Sequence, residues 1–261
     1  GTRLLSLCLI LLGASAAKGQ TCTDIPGKLQ QLDAGAGEVY GVTTSGSIYK
    51  WQRNVWVQVP GEMAHVSVGP AGVWATNKRS LVYKLQDNDW MRVSGLLKQI
   101  DAGGNKYLAG VNTEEVVYCL NRYDTISGSP YTHFTTIPGR LVYYSCGRLG
   151  CWGVNNASDI YFRYNVKPTA CEGSQWWRVE GSLAMLEVGT DGSVFGLSPD
   201  GKVYKREGIT YKKPTGTSWV NLNFLLQVKH VTYDAGALWL LSLEGDILKC
   251  EIPGTGLSDL V

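Results

Sequence analysis

A repeat limits the fold of this chain more than any other feature. Three stretches align without forcing: "LQQLDAGAGEVYGVTTSGSIYKWQRNVWVQVPG" (29–61), "MAHVSVGPAGVWATNKRSLVYKLQDNDWMRVSG" (63–95) and "LKQIDAGGNKYLAGVNTEEVVYCLNRYD…FTTIPG" (97–139). A fourth unit begins "LVYYSCGRLGCWGVNNASDIYFRY" (141–164), a fifth "LAMLEVGTDGSVFGLSPDGKVYKRE" (183–207) and a sixth "VKHVTYDAGALWLLSLEGDILKC" (228–250). The closing glycines Gly27, Gly61, Gly95, Gly139 and Gly181 stand 34, 34, 44 and 42 residues apart. Repeats of this length build solenoids or propellers, because one unit cannot bury its apolar face alone.

Each unit holds four short apolar-rich runs bounded by Gly, Asn, Asp and Pro, the pattern of strands. In unit one they are "LQQLDA", "VYGVT", "SIYKW" and "WVQVP". "TSG", "PDG" and "EGD", between second and third runs, have the composition of hairpin turns. Four antiparallel strands in each of six units predict an all-β fold, a six-bladed β-propeller, whose ring limits exposed strand edges. The 32 glycines and 14 tyrosines suit short strands and tight turns. Aromatic residues recur at two repeat positions. Tyr40, Trp74, Tyr107, Trp152, Phe195 and Trp239 fall near the middle of the second strand; Trp56, Trp90, Phe134, Trp176 and Trp219 fall at the start of the fourth. Rings at fixed positions are expected to pack blade against blade, with sugar-stacking platforms as the sharper alternative.

The two ends of the chain complete each other. Unit six supplies three strands and stops at Cys250, whereas "CTDIPG" (22–27) reads as a fourth strand with no unit before it. The N-terminal strand is therefore expected to close the ring and remove an open edge. Cys22 aligns with Trp56, Trp90 and Trp176, and Cys250 with Trp51 and Leu85, positions that face each other across a hairpin. This predicts a Cys22–Cys250 disulfide. Cys146 and Cys151 flank a hairpin turn and are expected to pair locally, leaving Cys119 with Cys171. Ahead of this strand, Arg3, the apolar run "LLSLCLILLGASAA" and the small residues before "KGQ" read as a secretory signal peptide over residues 1–20. That run is shorter than the ~20 apolar residues of a membrane span. A single propeller is expected over 21–261, secreted and without membrane insertion. Six cysteines remain after Cys8 leaves with the signal, an even count that suits an oxidising compartment.

Removing residues 1–20 takes the formal charge from +2 to 0, which argues against a nucleic-acid groove. No nucleophile elbow, HExxH, P-loop or dinucleotide fingerprint occurs, and the three histidines His65, His133 and His230 fall in no catalytic pattern. Asp33, Asp101 and Asp234 each precede Ala-Gly at what read as equivalent places on different blades. Such carboxylates suit a repeated turn or contact better than an acid–base pair. No enzyme activity, cofactor or metal is expected.

Together the motifs "LKQIDAG…GVN…VY…W…VPG" resemble tectonin repeats, and residues 22–250 resemble the fish-egg lectins in period, aromatic positions, terminal closure and six cysteines. The resemblance implies a secreted, six-bladed lectin of innate defence. Its implied partners are N-acetylglucosamine glycans, chito-oligosaccharides and bacterial cell-surface polysaccharides, and it leaves room for a homo-oligomer. A protein–protein scaffold is the alternative, since propellers carry function on the rim. Turns after first and third strands share one face of a meander, and the long inserts 121–133 and 165–175 follow third strands. Ligand contacts are therefore expected there, at Trp51, Asn54, Asn88, Asp89, Asn105, Tyr131 and Trp177. Trp177 follows the packed Trp176 and is expected to point away from it. The sequon "NAS" makes Asn156 a glycosylation candidate and would mark its face as free of partners.

Overall fold

A computed structural model describes residues 21–254, and the expected signal peptide lies outside them. The described residues form six antiparallel four-stranded sheets and one short helix, Arg122–Ile126. In the first blade the strands Gln31–Gly35, Glu38–Val42, Ser47–Gln52 and Val55–Glu62 follow one another from the axis outward. Blades two to five repeat that order, and together the six sheets make a β-propeller. The sixth blade takes Val228–Asp234, Ala237–Ser242 and Asp246–Glu251 from the C-terminal end and Thr21–Lys28 from the N-terminal end. Cys22 and Cys250 are direct cross-strand partners and form a disulfide. Cys146–Cys151 and Cys119–Cys171 are the other two disulfides, the latter tying a third strand of blade three to the insert of blade four.

The two aromatic positions make the seams between blades. The second-strand ring of one blade meets the fourth-strand ring of the next: Trp239 lies 6.3 Å from Trp56, and Trp152 lies 5.9 Å from Trp219 in an edge-on contact. Trp74 and Tyr40 sit buried at the same position, whereas Phe195, whose next blade carries Cys22 in place of a ring, stacks on Tyr233 at 4.5 Å. Unit three departs from the expected alignment. Asp101 pairs with Ala109, as Asp33 pairs with Tyr40, so Ala109 holds the second-strand position. Tyr107 precedes that strand by one residue, because the hairpin turn after Asp101 is longer, yet its ring is still buried.

First strands line the axis, and there one repeat position alternates in chemistry. Asp33, Ser67, Asp101, Ser145, Glu187 and Thr232 are register equivalents, acidic in blades one, three and five and hydroxylic in the others. Ser67 and Thr232 donate to the two oxygens of Asp33 at 2.7 and 2.8 Å, and the Val68 N–H adds a bond at 2.8 Å. Ser145 Oγ lies 3.0 Å from both Asp101 and Glu187, and Tyr143 donates to Glu187 in a short hydrogen bond. Glu187 therefore completes the ring that the sequence assigned in part to Asp234. Asp234 stands two residues further on, at the hairpin, where its carboxylate accepts the Gly37 N–H at 2.8 Å.

Burial raises all three carboxyls. Asp33 is pushed up to about 6 against the hydrogen bonds that favour its ionised form. Asp101 is pushed up to about 7, with Asp33 adding to the burial effect. Burial drives Glu187 well above the usual carboxylate range, and Asp33 and Asp101 drive it further. Burial also holds His65 down to about 3 and His230 down to about 4, so both axial histidines are neutral.

Two predictions follow from this architecture. Removing the closing bridge with Cys22→Ala and Cys250→Ala is expected to cost ~2–5 kcal/mol in denaturant unfolding. An unchanged midpoint would show that the strand pairing alone closes the ring. The second prediction concerns pH. A raised acid stabilises the fold most below its unfolded value, and that stability is lost as pH rises through its folded value. The depressed histidines act oppositely, but only up to their unfolded value of ~6.5. From about pH 7 to about pH 8.5 the acids act alone, so the melting temperature is expected to fall. Glu187→Gln, which mimics the protonated acid, should flatten that fall; a level or rising wild-type curve would contradict it.

Candidate functional site

The closing glycine of each unit organises a recess at the outer rim. In four blades the outermost strand carries a bulge at the residues before this glycine. Pro is tolerated there, because an edge strand at a bulge needs no N–H from it. Gly27, Gly61, Gly95, Gly139 and Gly181 have φ between +109° and +119°, a region that favours glycine. The bulge turns the preceding carbonyl toward the next blade. Trp56, Trp90, Trp176 and Trp219 donate their indole N–H to the carbonyls of Pro26, Pro60, Pro138 and Glu180 at 2.9, 2.8, 2.6 and 2.9 Å. A Cβ on those five glycines would stand only 2.8 to 3.6 Å from the aromatic ring.

Beside each clamped ring lies a cleft. In unit one it is lined by Gly27, Leu29, Thr43, Tyr49 and Trp56; in unit three by Gly95, Leu97, Asn112, Tyr118 and Phe134. Units four and five build it from Leu141, Asn155, Tyr161 and Trp176, and from Leu183, Ser198, Tyr204 and Trp219. Unit two carries Met63, Asn77, Tyr83 and Trp90 at the same positions. The four measured clefts hold about 250 to 450 Å³, the lower end of small-ligand sites (~300–1,000 Å³). Tyrosine and tryptophan are both half-buried, so each keeps part of its ring open to solvent. The polar residue opens the turn between second and third strands. Asn77, Asn112 and Asn155 each use Oδ1 to accept two backbone N–H groups of that turn, at 2.9 to 3.0 Å. For Asn77 and Asn112 this leaves the amide NH₂ with no acceptor among the described residues, and Asn112 lines the unit-three cleft.

Apolar ring faces beside an amide or hydroxyl donor suit a sugar ring: C–H edges stack on the rings, and hydroxyls or an acetamido carbonyl take the hydrogen bonds. Unit six is the exception. Leu248 replaces the tyrosine and Cys22 replaces the tryptophan, so the ring-closing disulfide occupies the place of a sixth cleft.

The residues singled out from sequence are distributed elsewhere. Trp51 is half-buried in a seam, 4.9 Å from Trp56 and 5.8 Å from Trp239. Asn54 and Asn88 occupy tight hairpins at φ +62° and +67°, a conformation that asparagine tolerates well. Asp89 and Asn105 are exposed at turns of blades two and three. Tyr131 is exposed in the blade-three insert, its N–H donating to Ser129 Oγ at 3.1 Å. Trp177 is 57 % exposed on blade four. The structure does not bring these seven together, and none of them lines a seam cleft. Asn156 is exposed one residue from Asn155, so a glycan there would stand at the rim of the unit-four cleft. Among the described residues, one group of three possible metal-ligand side chains occurs, Cys119, Cys171 and Glu172, and its two sulfurs are bonded to each other. No helix among them is long and apolar enough to cross a membrane.

A family model described as Tectonin domain matches residues 28–243. The chain is 52 % identical over 232 residues to a protein named Fish-egg lectin from Cyprinus carpio, covering 88 % of this chain and 98 % of that one. It is 30 % identical over 101 residues to a tectonin β-propeller repeat-containing protein of Drosophila melanogaster, 36 % of this chain and 8 % of that one. Among solved structures, the RRP9 WD40 repeats align with a TM-score of 0.59 at 7 % identity, covering 91 % of this chain and 99 % of that one. Human WBSCR16 aligns at 0.56 and 10 % identity, covering 86 % and 72 %. At these identities the likeness shows the propeller fold alone.

The seam itself is testable. Gly61→Ala and Gly37→Ala both place alanine at positive φ, but only at Gly61 does the new methyl meet a ring, Trp90 at 2.9 Å. Gly61→Ala is expected to lower stability by ~1–3 kcal/mol beyond Gly37→Ala, measured by urea unfolding. Equal losses would show that backbone conformation alone fixes this glycine.

Proposed function

The chain belongs to the tectonin family, and on that premise we propose that it is a secreted lectin binding N-acetylglucosamine-containing glycans. The observation that carries the reading is the recurrence of one half-open aromatic cleft in four of the six units, with the same residue types at the equivalent positions of unit two. A single packing accident would not repeat its tyrosine, its indole or phenyl ring and its Asn, Ser or Thr at fixed positions around a ring. The acetamido group is a natural ligand feature for such a site. Its methyl suits the apolar wall formed by Leu29, Leu97, Leu141 or Leu183, and in the unit-three cleft its carbonyl suits the Asn112 NH₂.

The 52 % identity to a protein named as a lectin supports the same reading, and the three disulfides suit an oxidising, extracellular setting. Five shallow sites on one rigid ring favour repetitive ligands. Modest single-site affinities multiply by avidity on bacterial cell-surface polysaccharides, which fits a role in innate defence. An N-linked glycan at Asn156 belongs to this reading and would partly screen the unit-four cleft.

Calorimetric titration with chitobiose tests the proposal. More than one site per chain is expected, with Tyr161→Ala weakening the unit-four site about tenfold and lowering the apparent stoichiometry. No heat with any amino sugar, or a stoichiometry indifferent to Tyr161→Ala in a folded protein, would overturn it.

A further inference from the structure

Trp177 breaks the rule of its own repeat position. Cross-strand register places Thr23, Val57, Met91, Thr135 and Val220 at the equivalent site of the other blades. Only blade four presents a tryptophan there, paired with Phe162 and 57 % exposed.

What faces it is the insert of blade five. Trp177, Tyr164, Lys212, Lys213, Thr215 and Thr217 line a cavity of about 370 Å³ between blades four and five, separate from the five seam clefts. The base of that insert is anchored. Arg206, whose side chain is 2 % exposed, donates through Nε to the Thr215 carbonyl at 2.8 Å and through a terminal nitrogen to Glu180 at 3.0 Å. Its guanidinium also stacks over Trp219 at 5.0 Å. The tip is a tight turn in which Lys213 N–H donates to Thr210 Oγ1 at 2.9 Å and Gly216 N–H to the Lys213 carbonyl at 3.0 Å. The turn holds two adjacent lysines beside the cavity, and neither ammonium has an acidic partner within 4.0 Å among the described residues. Glu180, the carboxylate that lines the cavity, is bonded to Arg206 and also feels the charge of Lys213. The cations at the seam clefts are committed instead: Lys28 pairs with Asp246 at 2.7 Å, and Arg140 donates to the Glu114 carbonyl at 2.7 Å.

We propose that this cavity binds an acidic saccharide, its ring stacked on Trp177 and its carboxylate or phosphate held by Lys212 and Lys213. The proposal deepens the lectin reading by adding a charge-selective site beside the neutral clefts. A flat aromatic face selects a sugar ring, and two adjacent ammonium groups at one edge, neither in an ion pair among the described residues, select an anion over a neutral sugar.

Titration with glucuronic acid, glucose 6-phosphate and glucose tests it. The two acids are expected to bind and glucose is not. Their affinity should fall when salt is raised from about 50 to about 500 mM, because the site is exposed to screening. Lys212→Ala with Lys213→Ala, and separately Trp177→Ala, should each weaken acid binding about tenfold. Both should retain the wild-type melting temperature and chitobiose binding, since Arg206 still anchors the insert. Binding of only one acid identifies the charged group that the lysines accept. No binding of either acid, or binding indifferent to both variants, overturns the proposal. Loss of the unit-four chitobiose site in Tyr161→Ala, read as a lower stoichiometry with acid binding intact, separates this site from the seam clefts.

Discussion

The structure depends on one contact repeated around a ring: an outer-strand aromatic laid against the glycine bulge of the preceding blade. Neither partner has a use without the other. The bulge needs glycine because of its positive φ, and the missing side chain makes the space that the ring enters. The carbonyl freed by the bulge then receives the indole N–H, so a half-buried tryptophan keeps its polar atom satisfied. Each ring buries a large apolar surface against the neighbouring blade, typically 150–250 Å² for a residue of this kind. Five seams use this device, and the chain ends meet at the sixth, where a covalent bond replaces it.

The same contact explains why clefts occur where they do. A ring pulled toward the preceding blade leaves a recess between itself, the third-strand tyrosine and the turn that opens with Thr43, Asn77, Asn112, Asn155 or Ser198. On the proposed reading, stability and recognition share residues, which limits what each unit is free to change. The axis works differently. Its alternating carboxyl and hydroxyl groups hold the first strands together through hydrogen bonds that cross from blade to blade, at the cost of keeping three acids away from water.

Much of the fold was legible because repetition multiplies weak signals. Gly27, Gly61, Gly95, Gly139 and Gly181 give the period, and the alignment of Cys22 with Trp56 and of Cys250 with Trp51 gives the closure. Other features were hidden by local spacing. Asp234 shares the Asp-Ala-Gly string of Asp33 and Asp101, but register assigns its blade's equivalent to Thr232, and Glu187 carries the third axial acid inside "LEVG". Tyr107 was displaced by a longer hairpin that a gapless comparison does not see. The clefts were missed because each draws on two units, Gly27 from one strand and Tyr49 and Trp56 from the next blade. One signal was available: every closing glycine is followed in the next unit by a fourth-strand aromatic, and unit six, entered without such a glycine, has Cys22 instead.

The central claim is that the joints between blades are also the places where sugar binds. Diffraction from crystals soaked in chitobiose tests it most directly. The account predicts sugar density on the rings of Tyr49 and Trp56, Tyr118 and Phe134, Tyr161 and Trp176, or Tyr204 and Trp219, and none beside the Cys22–Cys250 bridge. Chitobiose bound on the turns after first and third strands, with all these clefts empty, would contradict it.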